Sequence, residues 1–85
     1  MANYKVSVAA SAVKELRGVP KRDRHRIAFR MQSLSGDPRP PGCEKLSGEN
    51  RYRIRQGDYR ILYSIDDSTE AVDIVKIGHR REVYR

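Results

Sequence analysis

The residues that could do chemistry in this chain are cations set at strand spacing. Arg51, Arg53 and Arg55 recur at every second position, Arg60 follows within GDYRILY, and the last eight residues, GHRREVYR, hold His79, Arg80, Arg81, Tyr84 and Arg85. Side chains two apart on a strand share a face, so the first three guanidiniums form one basic surface. Such a surface can hold a phosphate through charge-assisted hydrogen bonds. In the tail, arginine supplies fixed positive charge. A tyrosine close to several guanidiniums has its phenolate favoured, which brings it toward use as a proton acceptor. The chemistry indicated is work on a phosphate. The competing readings are a solvated sheet face whose arginines pair with Glu49 or Asp58, and a frayed terminus.

Other candidates are weaker. Lys45 fits a phosphate-orienting residue at the edge of the basic surface, and equally a lysine that merely flanks a strand. Histidine is the residue type suited to proton transfer near neutral pH, and His79 adjoins Arg80, but successive side chains of an extended segment point to opposite sides, so it reads as a supporting or exposed group. Cys43 has neither a metal set nor a nucleophile–base partner, and His25 lies among exposed helical cations. Arg17, Lys21, Arg22, Arg24, Arg26 and Arg30 are either an ordinary charged helix surface or a second contact with a large polyanion.

The elements that must position these groups follow from periodicity. Tyr4, Val6 and Val8 alternate with polar residues as a half-buried strand does. From Ala9 the spacing becomes helical through Ala12, Val13 and Leu16, and Gly18 offers a stop. Pro20 opens a second helix with an Ile27, Met31, Leu34 stripe. The proline-rich stretch 35–42 (SGDPRPPG) must run as an extended loop. Beyond it, Tyr52 and Ile54 alternate with the three arginines, Gly57-Asp58 marks a turn, and Tyr59, Ile61, Tyr63 and Ile65 alternate with Arg60, Leu62 and Ser64. This is a β-hairpin with its arginines, Arg60 included, opposite the core. After a turn over 66–70, the segment 71–77 (AVDIVKI) is apolar on both faces and reads as a strand inside a sheet, which Gly78 ends. The order β-α-α-β-β-β gives an α+β fold with a mainly antiparallel sheet packed on a helical hairpin.

Composition bounds the rest. Eighty-five residues suit one domain, 1–85. Eighteen Lys and Arg against eleven Asp and Glu leave a charge of +7, which favours polyanionic partners. One cysteine fits a reducing, cytoplasmic setting, and no apolar run approaches the roughly 20 residues of a membrane span. Like charges on one sheet face repel, so the arginine surface is easier to rationalise with an anion on it.

Taken in order, Lys45-Leu46-Ser47-Gly48, Tyr52-Arg53-Ile54-Arg55, Gly57-Asp58-Tyr59-Arg60-Ile61-Leu62-Tyr63 and Ile77-Gly78-His79-Arg80-Arg81-Glu82-Val83-Tyr84 resemble the RelE toxins of the RelE/ParE toxin–antitoxin superfamily. The resemblance covers nearly the whole chain. It implies a microbial-ribonuclease-like fold and a metal-independent endoribonuclease, with no cofactor, that cuts mRNA in the ribosomal A site and so inhibits translation. The attack is by the substrate's own 2′-hydroxyl, leaving a 2′,3′-cyclic phosphate and a 5′-hydroxyl.

By position, the resemblance makes Tyr84 the general base, Arg80 the residue serving the leaving group and Arg60 the phosphate-binding arginine, with Arg53 and Arg55 completing the catalytic set. Lys45, Arg51 and Arg81 are the RNA-binding candidates. Arg53 and Arg55 stand where the best-known RelE pattern has lysines. Arginine, with a pKa above ~12, stabilises an anion but shuttles protons poorly. The implied partners are a RelB-like antitoxin, the ribosome and mRNA, with operator DNA reached by the toxin–antitoxin complex through the antitoxin. The alternative on the same scaffold is a ParE-like inhibitor of DNA gyrase without nuclease activity. A nonenzymatic RNA-binding module is disfavoured, because Tyr52, Tyr59 and Tyr63 fall on the core side and leave few rings for stacking.

Overall fold

A computed structural model describes residues 3–46 and 50–79. Strand β1 (Lys5–Val8) leads into helices α1 (Ala10–Arg17) and α2 (Lys21–Ser33). Strands β2 (Glu44–Lys45), β3 (Arg51–Gln56), β4 (Tyr59–Asp66) and β5 (Ala71–His79) follow. They form one sheet in the order β1-β5-β4-β3-β2. β1 lies parallel to β5, and the other pairings are antiparallel. The α+β order and the interior place of the 71–77 strand agree with the sequence.

Both helices cover one face of the sheet. Ala12 of α1, Val19 between the helices, Ile27 and Met31 of α2, and Leu34 close over Tyr52, Ile54, Ile61, Tyr63, Ile65, Val72, Ile74 and Ile77 in one core. The alternation in β3 and β4 is what permits this, since every second residue faces the helices. α1 ends at Gly18, whose φ of −80° is ordinary right-handed backbone. The stop therefore comes from Pro20, which lacks an N–H and disfavours helical geometry at the residue before it. Pro20 sits at the N-cap of α2 rather than inside its first turn. Its carbonyl accepts the Arg24 N–H at 2.8 Å. Glycine is needed at Gly57, where φ is +60° in the two-residue turn joining Gln56 to Tyr59.

The 35–42 loop is fastened across the end of the sheet. The Arg39 guanidinium donates to both carboxylate oxygens of Asp67, at 3.2 and 2.9 Å. It also donates to the Tyr52 hydroxyl and lies 5.1 Å from the centre of that ring. Tyr4 donates to Asp67 at 2.7 Å. The Arg39 hydrogen bond, then that of Tyr4, holds the Asp67 carboxyl below the usual carboxylate range. Within the core, the Tyr63 hydroxyl donates to the Pro38 carbonyl at 2.7 Å.

Two elements differ from the expectation. Strand β2 is an addition: residues 44 and 45 pair with β3, a ladder too short to leave a periodic signature. β5 does not stop at Gly78 but runs through it to His79, because Gly78 and His79 pair with Arg60 and Tyr59. Their partner strand, not local propensity, extends the element.

Candidate phosphate-binding face

The face of the sheet turned away from the helices carries the basic groups. Residues directly opposite in a ladder share a face, and three rows follow from the registers. One contains Arg51, Ser64 and Asp73; the next Glu44, Arg53, Leu62 and Lys76; the third Arg55, Arg60 and Gly78. Arg51, Arg53, Arg55 and Arg60 thus come together as the alternation predicts.

The rows are not equivalent. Arg55 is exposed, while Arg60 opposite is half-buried, and its Nε is buried without a hydrogen-bond partner. That nitrogen is shielded from solvent, so it is the rest of the Arg60 guanidinium, next to that of Arg55, that can meet an anion. Gly78 completes this row without a side chain.

In the middle row Arg53 pairs with Glu44 of β2. The Arg53 side chain is only 14% exposed and that of Glu44 57%. Leu62, although on this face, is 7% exposed and stands apart from the main core. The sequence offered Glu49 or Asp58 as partners for the arginines; Glu44 was missed because a two-residue strand gives no period to read. Lys45 pairs with Tyr52 and so takes the other side of its strand from Arg53.

Arg80, Arg81 and Tyr84 lie outside the described residues. The chain enters that segment one residue after His79 and two after Gly78 of the Arg55–Arg60 row. His79 itself is opposite Tyr59, on the helix side, where the two rings meet edge-on at 5.7 Å. It lines a cleft of about 400 Å³ with Glu15, Tyr59 and Lys76. There the Glu15 carboxylate accepts the backbone N–H of Ile77 and the Lys76 ammonium, each at 3.1 Å. β1 pairs with β5 only as far as Ile74, so Glu15 serves the strand edge where β1 has ended. The helical cations Arg22 and Arg26 are exposed on α2, beside Phe29 at 74% exposure. They lie across the sheet from the arginine rows. No group of three or more metal-ligating side chains occurs among the described residues, nor is any helix there long and apolar enough to cross a membrane.

Comparison with known proteins gives a consistent result. Residues 6–84 match the family described as ParE toxin of the type II toxin–antitoxin system parDE. Toxin RelE of Mycobacterium tuberculosis is 31% identical over 84 residues, spanning 96% of this chain and 87% of that toxin. Toxin RelG of the same organism is 33% identical over 86 residues, spanning 96% and 97%. The archaeal RelE–RelB complex of Pyrococcus horikoshii superposes with a TM-score of 0.84 at 30% identity, over 95% of this chain and 99% of that one.

Proposed function

From the premise that the chain belongs to the RelE/ParE family of type II toxin–antitoxin toxins, we propose that it is a ribosome-dependent endoribonuclease of the RelE kind. The observation that carries the reading is the Arg55–Arg60 pair, two guanidiniums directly opposite each other on one face of the sheet. It is a preformed cationic seat for a scissile phosphate, and the tail with Arg80 and Tyr84 follows directly from its row.

The reaction is transesterification within the RNA. The 2′-oxygen attacks the adjacent phosphorus, the bond to the 5′-oxygen breaks, and a 2′,3′-cyclic phosphate and a 5′-hydroxyl result. Arg55 and Arg60 stabilise the charge that builds on the phosphorane oxygens, where preorganised donors contribute most. Arg80 serves the leaving oxygen and Tyr84 takes part in proton transfer. Arg51 and Arg81 contact the RNA backbone and Arg53 acts beside the phosphate seat, whereas Lys45, opposite Tyr52 on the helix side of the sheet, is left out of that contact. Because both lysine positions of the RelE pattern are arginines, these two residues contribute charge and not proton transfer. The protein works in the cytoplasm without a cofactor. A RelB-like antitoxin, matching the RelE–RelB assembly seen for the archaeal relative, silences it, and the pair reaches operator DNA through the antitoxin.

The family description favours one other reading, since it names ParE: inhibition of DNA gyrase with no nuclease step. Induction of the toxin followed by mapping of broken mRNA ends, set against scoring of DNA breaks, separates the two. The ribonuclease reading requires mRNA ends carrying 5′-hydroxyls, lost in R60A and Y84F. Growth arrest that persists in both variants, with DNA breaks and intact mRNA, supports the gyrase reading instead.

A further inference from the structure

We propose that Glu44, and not Tyr84 as the resemblance implies, is the residue that takes up the 2′-hydroxyl proton, an inference that rests on the ribonuclease reading above. Removal of that proton needs an acceptor within hydrogen-bond reach of the 2′-oxygen. Arg53 and Arg55 cannot fill the role, since guanidinium stays protonated. The β2–β3 register puts Glu44 on the arginine face, directly opposite Arg53 and diagonal to Arg55, a neighbour relation that long side chains bridge.

The Glu44–Arg53 pair is asymmetric. Its guanidinium is largely buried, in a row whose Leu62 is buried as well, while the carboxylate is more than half exposed. What this row presents to a bound RNA is therefore a carboxylate, held in place from behind by a charged donor. The other carboxylate in these rows, Asp73, sits two rows from Arg55 and Arg60. The face thus carries an oriented proton acceptor next to an anion seat. A residue meant only to bind RNA would not be an acid in that place, because a carboxylate repels the phosphate.

The step balances as follows. Glu44 takes the proton from the 2′-oxygen as that oxygen bonds to phosphorus. The bond from phosphorus to the 5′-oxygen breaks, its electron pair staying on the oxygen, which receives a proton from water. The hydroxide so formed takes up the proton that Glu44 holds, and no net proton is gained or lost.

The test is single-turnover cleavage of mRNA in the ribosomal A site by wild type, E44Q and E44A, with thermal midpoints and ribosome affinity measured alongside. Glutamine keeps an oxygen for Arg53 but accepts no proton. Both variants are expected to lose about 10²–10⁴ in rate with affinity unchanged, and added formate should restore E44A while leaving E44Q inactive. An E44Q rate within threefold of wild type overturns the proposal, for the carboxylate then only holds Arg53. Faster cleavage by E44A overturns it too, for Glu44 then merely competes with the phosphate. Wild-type protein that leaves no cyclic-phosphate ends overturns the ribonuclease reading itself, a failure visible before any variant is compared.

Discussion

Arg55 on β3 and Arg60 on β4 stand directly opposite each other, two guanidiniums in a single cross-strand pair. Like charges so placed weaken a ladder by a few tenths to about 1 kcal/mol. The fold tolerates this at the spot where an anion has most to gain.

Replacing Arg55 with threonine should therefore stabilise the free protein slightly and disable it. The expected outcome is a small rise in thermal midpoint together with a loss of mRNA cleavage. Sulfate should raise the midpoint of wild type more than that of R55T, because an ion bound to the native state stabilises it by mass action. Equal sulfate shifts in the two proteins would show that the pair is no anion seat.

Glu15 gives a second prediction, at the far side of the sheet. Its carboxylate closes the edge of β5 that β1 leaves open, through the Ile77 N–H and the Lys76 ammonium. E15A strands that N–H, with a cost of about 1–2 kcal/mol. E15Q keeps an acceptor for it and should cost less. Amide hydrogen exchange at Ile77 checks the mechanism: faster exchange is expected in E15A, while protection close to wild type in that variant would assign the loss to some other contact.

How much of this was legible beforehand depended on the length of each ladder. The alternation of Tyr52 and Ile54 with Arg51, Arg53 and Arg55 sufficed to place three arginines on one face, and Arg60 joined them through the Gly57-Asp58 turn. That signal is local and repeats several times. Glu44 was invisible by the same logic, since one residue pair facing Arg53 has no period and its position is set by the chain's return from the Pro-rich loop. The extension of β5 to His79 was hidden for a related reason: Gly78 is a poor strand residue by itself, and only its partner Arg60 keeps it in the sheet. The side of the strand taken by His79 followed from alternation, but its contact with Tyr59 did not.

Tyr63 carries the last prediction, which concerns alkaline pH. Its side chain is fully buried. Burial, followed by the hydrogen bond with Cys43, pushes its phenol above the ordinary tyrosine value of 10.0. The neutral phenol is the form that the fold accepts, so the unfolded chain releases this proton first as pH rises. Its contribution to stability is fully present below about pH 10 and is lost as pH climbs toward the higher folded value. The slope is at most about 1.4 kcal/mol per pH unit for one group. Near neutrality, Y63F should be the less stable protein by about 1–2 kcal/mol, because it leaves the buried Pro38 carbonyl without its donor. Above pH 10 the gap should narrow, since phenylalanine has no proton to release. Tyr4, raised by its hydrogen bond to Asp67, titrates with the same sign in both proteins and cancels in the comparison. Denaturant unfolding of the two proteins between pH 7 and 11 measures this directly, and parallel curves over that range would mean that the Tyr63 hydroxyl does not control alkaline unfolding.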